Sequence, residues 1–196
     1  MSELLKYEND PKAQRVAEHI RDALIEMGLD VDSEALKRTP IRIASAWLRM
    51  CEGYDREVLL KRMYTERSDL VASFGIPFTS ICEHHFAPFY GTVDIGYIPR
   101  NQVTGMSKLD QLVEKYALRP QIQERFTSQI ADELWEVLQP NGVIVVTEAV
   151  HTCKMLEGYS PSTYTCSACR GIFLWHTGPR TEFLKLRSSH RNKLYK

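Results

Sequence analysis

Two short segments of the sequence each pair a cysteine with a histidine at a spacing that suits one metal ion. In the first segment, Cys82 and His85 stand three residues apart, so a tight turn could aim both side chains at one point. In the second, His151 and Cys153 stand two apart, and on a strand their side chains would share one face. Two cysteines, one histidine and an open fourth position are typical of a catalytic zinc site. The pattern predicts Zn²⁺ held by Cys82, His85 and Cys153.

The two remaining histidines of these segments are candidates for proton transfer. His84 and His85 are neighbours, and on an extended backbone they would point to opposite sides and do different work. We therefore predict that His84 and His151 handle protons beside the metal, as in a zinc hydrolase. The alternative is a buried cysteine pair beside a hydrogen-bonded histidine, although the polar run Cys82–His85 is poor core material. Glu83 is open to two interpretations, a partner that orients a ligand histidine or a solvated turn residue.

Two further pairs of residues could contact a ligand, one pair through an anionic group and the other through a purine ring. Ser107 and Lys108 open a predicted helix, where backbone amides, a hydroxyl and an ammonium could hold an anion; a plain serine cap with a solvated lysine is the alternative. Gln123 and Glu124 fall in the first turn of another helix. The helix dipole alone favours a carboxylate there, but Glu124 could instead accept hydrogen bonds from purine N–H groups.

Cys166 and Cys169, outside these two segments, form a C-x-x-C pattern. Positions three apart on a strand face opposite ways, so we interpret this pair as structural.

The periodicity of the chain supplies the elements that must position these residues. Two helices come first, starting at Asp10-Pro11 and Thr39-Pro40. The remaining pattern predicts strands over 71–80, 89–97, 143–151 and 163–175, and helices over 107–118, 120–139 and 181–189. This order indicates an α+β fold, with a four-stranded antiparallel sheet, helices on one face and an N-terminal helical region. We predict a helical region over residues 1–55 and a catalytic domain over 56–196. Open sheet edges favour pairing between subunits, and hence a homo-oligomer.

Composition excludes several classes of function. The 196 residues are 43% hydrophobic, and 25 basic residues balance 25 acidic ones, so we expect neither nucleic-acid binding nor attachment to an anionic membrane. No apolar run reaches the length of a membrane span. The sequence has five cysteines, an odd number, and no signal-peptide pattern at its start, which favours a cytoplasmic protein.

Several motifs, spread over most of the chain, make the sequence resemble the GTP cyclohydrolase I family. They are Thr39–Ala44, Cys82–Phe86, Tyr97–Pro99, Gly105–Lys108, Arg119–Arg125, Ala149–Cys153 and Thr181–Leu184. The resemblance implies the tunnelling fold (T-fold), in which two pentameric rings stack into a decamer and active sites lie at subunit interfaces. It also implies zinc-dependent opening of the guanine imidazole ring of GTP, with release of formate and formation of 7,8-dihydroneopterin triphosphate, the pterin precursor of folate.

The resemblance assigns roles to this chain position by position. Cys82, His85 and Cys153 would hold Zn²⁺, which lowers the pKa of water to about 7, and His84 and His151 would move protons, His151 to N7 of the purine. By the same resemblance, Glu124 and Gln123 would bind the guanine edge, and Ser107 and Lys108 would bind the phosphates.

Two positions depart from the family pattern. Gln111 and Glu157 stand where the family usually has phosphate-binding arginines, a change of three charge units at the triphosphate. We therefore expect a divergent member that prefers a less phosphorylated or modified purine. Two alternatives stay open, a non-catalytic purine-binding or regulatory homologue and a reductase of the same fold acting on a deazapurine nitrile. Retention of both proton-transfer histidines argues against the first, and the zinc ligands argue against the second.

Overall fold

The computed structural model describes residues 6–58, 60, 61, 64–66 and 68–194. The chain divides into two compact units, Met1–Glu52 and Gly53–Lys196.

The first unit is built on two helices, α1 (Pro11–Glu26) and α2 (Thr39–Arg49). The Asp10 side chain accepts a hydrogen bond of 2.7 Å from the Lys12 amide, and proline follows the cap. Both helices begin where the sequence predicted. Ala17, Ile20 and Ala44 form the buried cluster between them.

The second unit consists of a single sheet with helices packed on it. Its elements are β1 (Val71–Cys82), β2 (Pro88–Ile98), α3 (Met106–Ala117), β3 (Pro120–Gln121), α4 (Gln123–Leu138), β4 (Gly142–His151), α5 (Thr152–Leu156), β5 (Thr163–Gly171), α6 (Ile172–Trp175) and α7 (Thr177–Leu194). The strand order is β3-β1-β2-β4-β5, and all pairings are antiparallel except that of β3 with β1. The predicted α+β class is confirmed. Among the described residues, no helix is both long and apolar enough to cross a membrane.

The predicted count of four strands is wrong, because β3 adds a fifth. Pro120 and Gln121 run parallel to the end of β1, opposite Ile81 and Cys82. We expected a helix to begin at Pro120, but Ile122 is still extended and α4 starts at Gln123. A two-residue strand is too short to give an alternating pattern, so the sequence carries no periodic signal for it. β3 matters because it lies beside Cys82.

Helices cover both faces of this sheet, whereas the sequence predicted helices on one face. Val143 and Val145 of β4 belong to the large cluster packed against α3 and α4. Ile144 alternates with them and packs instead with Phe183 of α7. The predicted arrangement, with helices on one face, therefore holds for α3 and α4, whereas α7 lies on the opposite face of the sheet. The lysine- and arginine-rich sequence of α7 gave no clear apolar stripe to predict this.

A β-bulge interrupts the pairing of β1 with β2. The register shifts between Ser73 and Ile76, and Gly75 between them has φ of +72°, in the left-handed region that glycine adopts without strain. The Gly75 amide donates a 2.7 Å hydrogen bond to the carboxylate of Asp94, which is buried. Arg187 of α7 also binds Asp94, at 2.6 Å, so the bulge and α7 are joined through one carboxylate.

Candidate metal centre and active site

A tight turn after β1 brings the first two candidate ligands together. The Cys82 amide donates to the Ala87 carbonyl at 2.8 Å, and the Phe86 amide donates to the Cys82 carbonyl at 2.8 Å. Phe86 has φ of +52°, a left-handed conformation that is uncommon for a residue other than glycine. The turn places Nδ1 of His85 3.8 Å from Sγ of Cys82, as the three-residue spacing predicted.

His84 does not point away from His85 as predicted. Nδ1 of His84 also lies 3.8 Å from Sγ of Cys82, and the two imidazole rings are nearly perpendicular, at 85°. The prediction assumed an extended backbone, whereas residues 83–85 form a turn. His85, and not His84, forms a donor group with Cys153, so His84 lies next to the candidate metal centre rather than in it.

The second segment supplies Cys153 from a helix and not from a strand. β4 ends at His151, and α5 begins at Thr152, whose hydroxyl donates a 2.5 Å hydrogen bond to the Pro88 carbonyl at the start of β2. Cys153 therefore lies in the first turn of α5. The sequence argument that it shares a strand face with His151 is wrong, but both residues line the same cavity.

The three predicted ligands converge within one chain. The donor atoms of Cys82, His85 and Cys153 all lie within 4.8 Å of one another, while ligands arranged tetrahedrally about 2.3 Å from zinc lie about 3.8 Å apart. Small side-chain shifts would close this group around one ion, so the residues fit a metal of this kind. Burial raises the pKa of the Cys153 thiol, and the nearby Cys82 adds to the effect, so a bound cation is what would favour the thiolates.

The imidazole of His151 stacks on an aromatic ring with its face and contacts a side-chain amide through one of its ring nitrogens. Its ring stacks on Phe89, its cross-strand partner, with centroids 4.6 Å apart and an interplanar angle of 4°. Its Nε2 lies 2.8 Å from Oε1 of Gln123. Burial lowers the pKa of His151, against the opposing negative charge of Glu124.

Gln123 has an internal role that sequence analysis missed. Its side chain is buried, and its Nε2 donates to the Thr147 hydroxyl at 3.0 Å and to the Tyr164 carbonyl at 3.1 Å. With the amide nitrogen fixed on these acceptors, Oε1 must face His151, which then donates from Nε2–H. The predicted contact of Gln123 with guanine stays a prediction. A signal existed, because Gln123 begins the buried stripe that continues with Phe126 and Thr127 of α4.

Glu124 is exposed at the rim of the cavity. The Tyr164 hydroxyl donates a 3.2 Å hydrogen bond to Oε1 of Glu124, and the carboxylate raises the pKa of that hydroxyl. Tyr164 was not singled out by sequence analysis, since a tyrosine on a strand is an ordinary residue. The other carboxylate oxygen of Glu124 has no partner assigned to it among the described residues, so this side chain can still accept hydrogen bonds from a ligand.

The convergent residues line one cavity of ≈380 Å³, which is within the size range of small-molecule sites. Its lining includes Cys82, His84, His85, Gln123, Glu124, His151 and Cys153, together with Lys154, Glu157, Ser162 and Tyr164. Seven of the nine predicted site residues thus meet in one place.

Ser107 and Lys108 are the two predicted site residues that do not line this cavity. They lie in the first turn of α3, where Nζ of Lys108 donates to Oε1 of Gln111 at 3.0 Å. Gln111, which brings no positive charge of its own, therefore accepts a hydrogen bond from Lys108, the candidate phosphate-binding residue.

Glu157 and Glu83 each contact part of the site. Oε1 of Glu157 lies 3.1 Å from Nε2 of His85. Glu83 forms an ion pair with Arg125 of α4, which links the turn of residues 83–85 to that helix. Glu83 is a part-exposed turn residue, as one of its two interpretations has it, and its ion pair with Arg125 adds a contact that the sequence did not indicate. Sequence analysis treated Glu157 only as a lost cation and missed its contact with His85.

This α+β chain brings two thiols and an imidazole beside a half-buried histidine, which defines a candidate metal centre. Residues 16–188 match the family model described as GTP cyclohydrolase I. The chain is 44% identical to GTP cyclohydrolase 1 of Corynebacterium aurimucosum over 193 residues, covering 95% of this chain and 98% of that protein. It is 45% identical to GTP cyclohydrolase 1 of Mycolicibacterium paratuberculosis, with 85% of each chain covered.

The chain therefore belongs to the GTP cyclohydrolase I family and is a hydrolase that acts on a cyclic amidine. The predicted family is confirmed, and the T-fold that it implies describes this α+β chain, with five strands in the sheet. A search of solved structures also finds the apo form of archaeosine synthase QueF-Like, with a TM-score of 0.45 and 19% identity over 54% of this chain and 97% of that one.

Proposed function

We propose that this protein is a zinc-dependent cyclohydrolase that opens the imidazole ring of a guanine nucleotide and releases formate. The observation that carries the proposal is the meeting of the Cys82, His85 and Cys153 donors with His151 in one cavity. Membership of the family supports a purine nucleotide as substrate. A zinc ion bound by these donors would supply Lewis-acid activation of water at neutral pH.

The chain's own residues account for proton transfer and for orientation of the purine. Because Gln123 accepts the Nε2–H of His151, the other ring nitrogen, Nδ1, is the one that can take up a proton and, from the imidazolium so formed, pass it to N7 of the purine. His84, beside Cys82, is the second candidate for moving protons. Glu124 at the rim would accept hydrogen bonds from N1–H and the exocyclic amino group of guanine, with Tyr164 holding one carboxylate oxygen in place.

The phosphate-binding residues require a second copy of the chain under this proposal. Ser107 and Lys108 lie outside the cavity lining of their own chain, and a homo-oligomer would bring these residues of one subunit to the cavity of the next. The family resemblance implies a decamer of two pentameric rings, and the unpaired outer edge of β5 leaves backbone groups free to pair between subunits. We also propose a cytoplasmic location, which the five free cysteines support.

The experiment is formate release by zinc-loaded protein from GTP, GMP and guanosine, followed together with pterin fluorescence. Formate and pterin from GTP support the full family reaction. Cys153→Ser and metal-depleted protein should both lose formate release. Formate production that survives metal removal, or the absence of formate from all three compounds, would overturn the proposal.

A second candidate is a cyclohydrolase that prefers a less phosphorylated purine. The observation that favours it is the charge of the site: Glu157 places a carboxylate in the cavity lining, and Lys154 is the single lysine or arginine among the lining residues described. Lys154 itself donates to the Ser162 hydroxyl at 2.7 Å. An opposing carboxylate weakens binding of a triphosphate, and about 1.4 kcal/mol is enough for a tenfold loss. A higher kcat/KM with GMP or guanosine than with GTP would select this candidate; a preference for GTP would reject it.

A further inference from the structure

Glu157 is carried by the same short element as one of the candidate metal ligands. Cys153 and Glu157 stand four residues apart, so their side chains lie on one face of a helical turn. The Glu157 amide donates to the Cys153 carbonyl at 3.2 Å, and Gly158, with φ of +88°, ends the turn in the left-handed conformation that favours glycine. The backbone therefore fixes the position of Glu157 relative to Cys153.

The two nitrogens of His85 face two different groups. Nδ1 lies 3.8 Å from Sγ of Cys82, on the side of the donor group, and Nε2 lies 3.1 Å from Oε1 of Glu157. A carboxylate beside one imidazole nitrogen favours the tautomer that carries its proton there, which leaves the lone pair of the other nitrogen free for a metal. The orientation of His85 seen here is the one that a ligand acting through Nδ1 requires.

Several basic side chains of this unit have partners other than Glu157. Lys154 donates to Ser162, and Arg170 binds Asp132 at 2.6 Å. Arg125 is paired with Glu83. Among the ion pairs of the described residues, His85 is the partner of the Glu157 carboxylate, so its contact is with a candidate ligand and not with a surface lysine or arginine.

We propose that Glu157 is a positioning residue of the metal centre: it accepts the Nε2–H of His85 and holds the ring with Nδ1 directed at the two cysteine sulfurs. The inference rests on the proposed function, because it requires that the Cys82, His85 and Cys153 group binds a metal. In this role Glu157 would support a candidate metal ligand, His85, instead of supplying the phosphate-binding cation that the family resemblance implies at this position.

Metal affinity tests this role without any turnover. Full-length protein is titrated with zinc against a chromophoric chelator, and the cobalt-loaded protein is followed by its ligand-field spectrum. Outer partners of metal ligands typically contribute 10- to 100-fold in affinity. The side chains of His85 and Glu157 are 41% and 51% exposed, so water competes for the contact and we expect about a 10-fold loss in Glu157→Ala.

Two further variants separate positioning from charge. Glu157→Asp keeps the charge but is one methylene shorter, so it should lose affinity nearly as Glu157→Ala does and change the cobalt spectrum. Glu124→Gln removes a carboxylate from the same cavity that has no recorded contact with His85, and it should bind zinc as the unmodified protein does. Equal zinc affinity in Glu157→Ala and the unmodified protein would overturn the inference. So would unmodified affinity in Glu157→Asp, because charge alone would then suffice.

The outcomes also distinguish this inference from the function on which it rests. If the unmodified protein binds no zinc, the proposed function fails and the inference fails with it. If it binds zinc and releases formate while Glu157→Ala binds zinc equally well, the inference alone fails. Glu157 ends an exposed turn, so circular dichroism should show that the variants remain folded.

Discussion

Replacement of Gln123 by leucine tests the buried amide that links the sheet to His151, the proposed proton-transfer residue. Gln123→Leu removes donation to the Thr147 hydroxyl at 3.0 Å, donation to the Tyr164 carbonyl at 3.1 Å and the 2.8 Å acceptor for His151. A buried neutral hydrogen bond contributes about 1 kcal/mol net, and partners left unsatisfied add to the loss. Since Thr147 keeps its 2.7 Å contact with Thr127, we expect the free energy of unfolding to fall by about 2–4 kcal/mol.

Urea unfolding, followed by circular dichroism at fixed protein concentration, measures this loss. Glu124→Gln is the matched control for folding, because it changes the next residue of the same helix at an exposed position and should change stability little. A loss below about 0.5 kcal/mol in Gln123→Leu, no larger than an ordinary surface substitution, would refute the reasoning that this network is stabilising.

Steady-state kinetics of the same variant separates the two roles considered for Gln123. If Gln123 acts through His151, kcat for formate release should fall while KM stays nearly constant, because orientation of the proton donor matters in the transition state. If KM rises and kcat is unchanged, Gln123 contacts the guanine ring in the way the family resemblance implied, and the role assigned here through His151 is wrong.

Three other predictions follow from the burial and charge of particular side chains. Burial, with the charge of Glu124, raises the pKa of the Cys166 thiol to about 11. At pH 8, alkylation of Cys166 by iodoacetamide should therefore be about two orders of magnitude slower than that of an ordinary thiol. Peptide mass spectrometry measures this rate, and a rate in the folded protein equal to that in urea would contradict the prediction. Arg187→Met removes the closest partner of the Asp94 carboxylate, whose side chain is 3% exposed. The variant should lose about 3 kcal/mol of unfolding free energy, and an unchanged urea midpoint would contradict this prediction. Although burial opposes it, Arg191 and Arg187 hold the pKa of the Glu148 carboxyl below its ordinary value. The stabilisation is therefore complete above that ordinary value and is lost as pH falls through the lower folded value. Urea midpoints measured from neutral pH downward should drop in this window, and a flat profile would contradict the assignment.

The sequence predicted those parts of the site that depend on local spacing. Cys82 and His85 meet because a three-residue separation across a turn leaves few arrangements, and the cap at Asp10 follows from side-chain chemistry within one turn. Glu124 at the start of a helix was predicted for the same reason. Such features need only neighbouring residues to be understood.

Features that depend on contacts between distant segments were not predictable in this way. β3 exists because Pro120 and Gln121 lie beside the end of β1, which no periodicity indicates. The inward direction of the Gln123 side chain depends on Thr147, from a different strand. The contact of Glu157 with His85 joins residues more than seventy positions apart, and in the sequence Glu157 was visible only as a missing arginine.

The bulge at Gly75 determines which side of the sheet carries Cys82 of the candidate metal centre. Before it, Ala72 and Phe74 face the cluster that includes Phe183, whereas after it Ile76 and Cys82, also even-numbered, face the α3 and α4 side. One inserted residue has thus inverted the parity of the strand. If Gly75 were paired as an ordinary strand residue, without the bulge, every side chain would be intact, yet the uninterrupted alternation of β1 would present Cys82 on the α7 side, away from His151 and Cys153. The position of the first candidate metal ligand therefore depends on the backbone seven residues before it as much as on the cysteine itself.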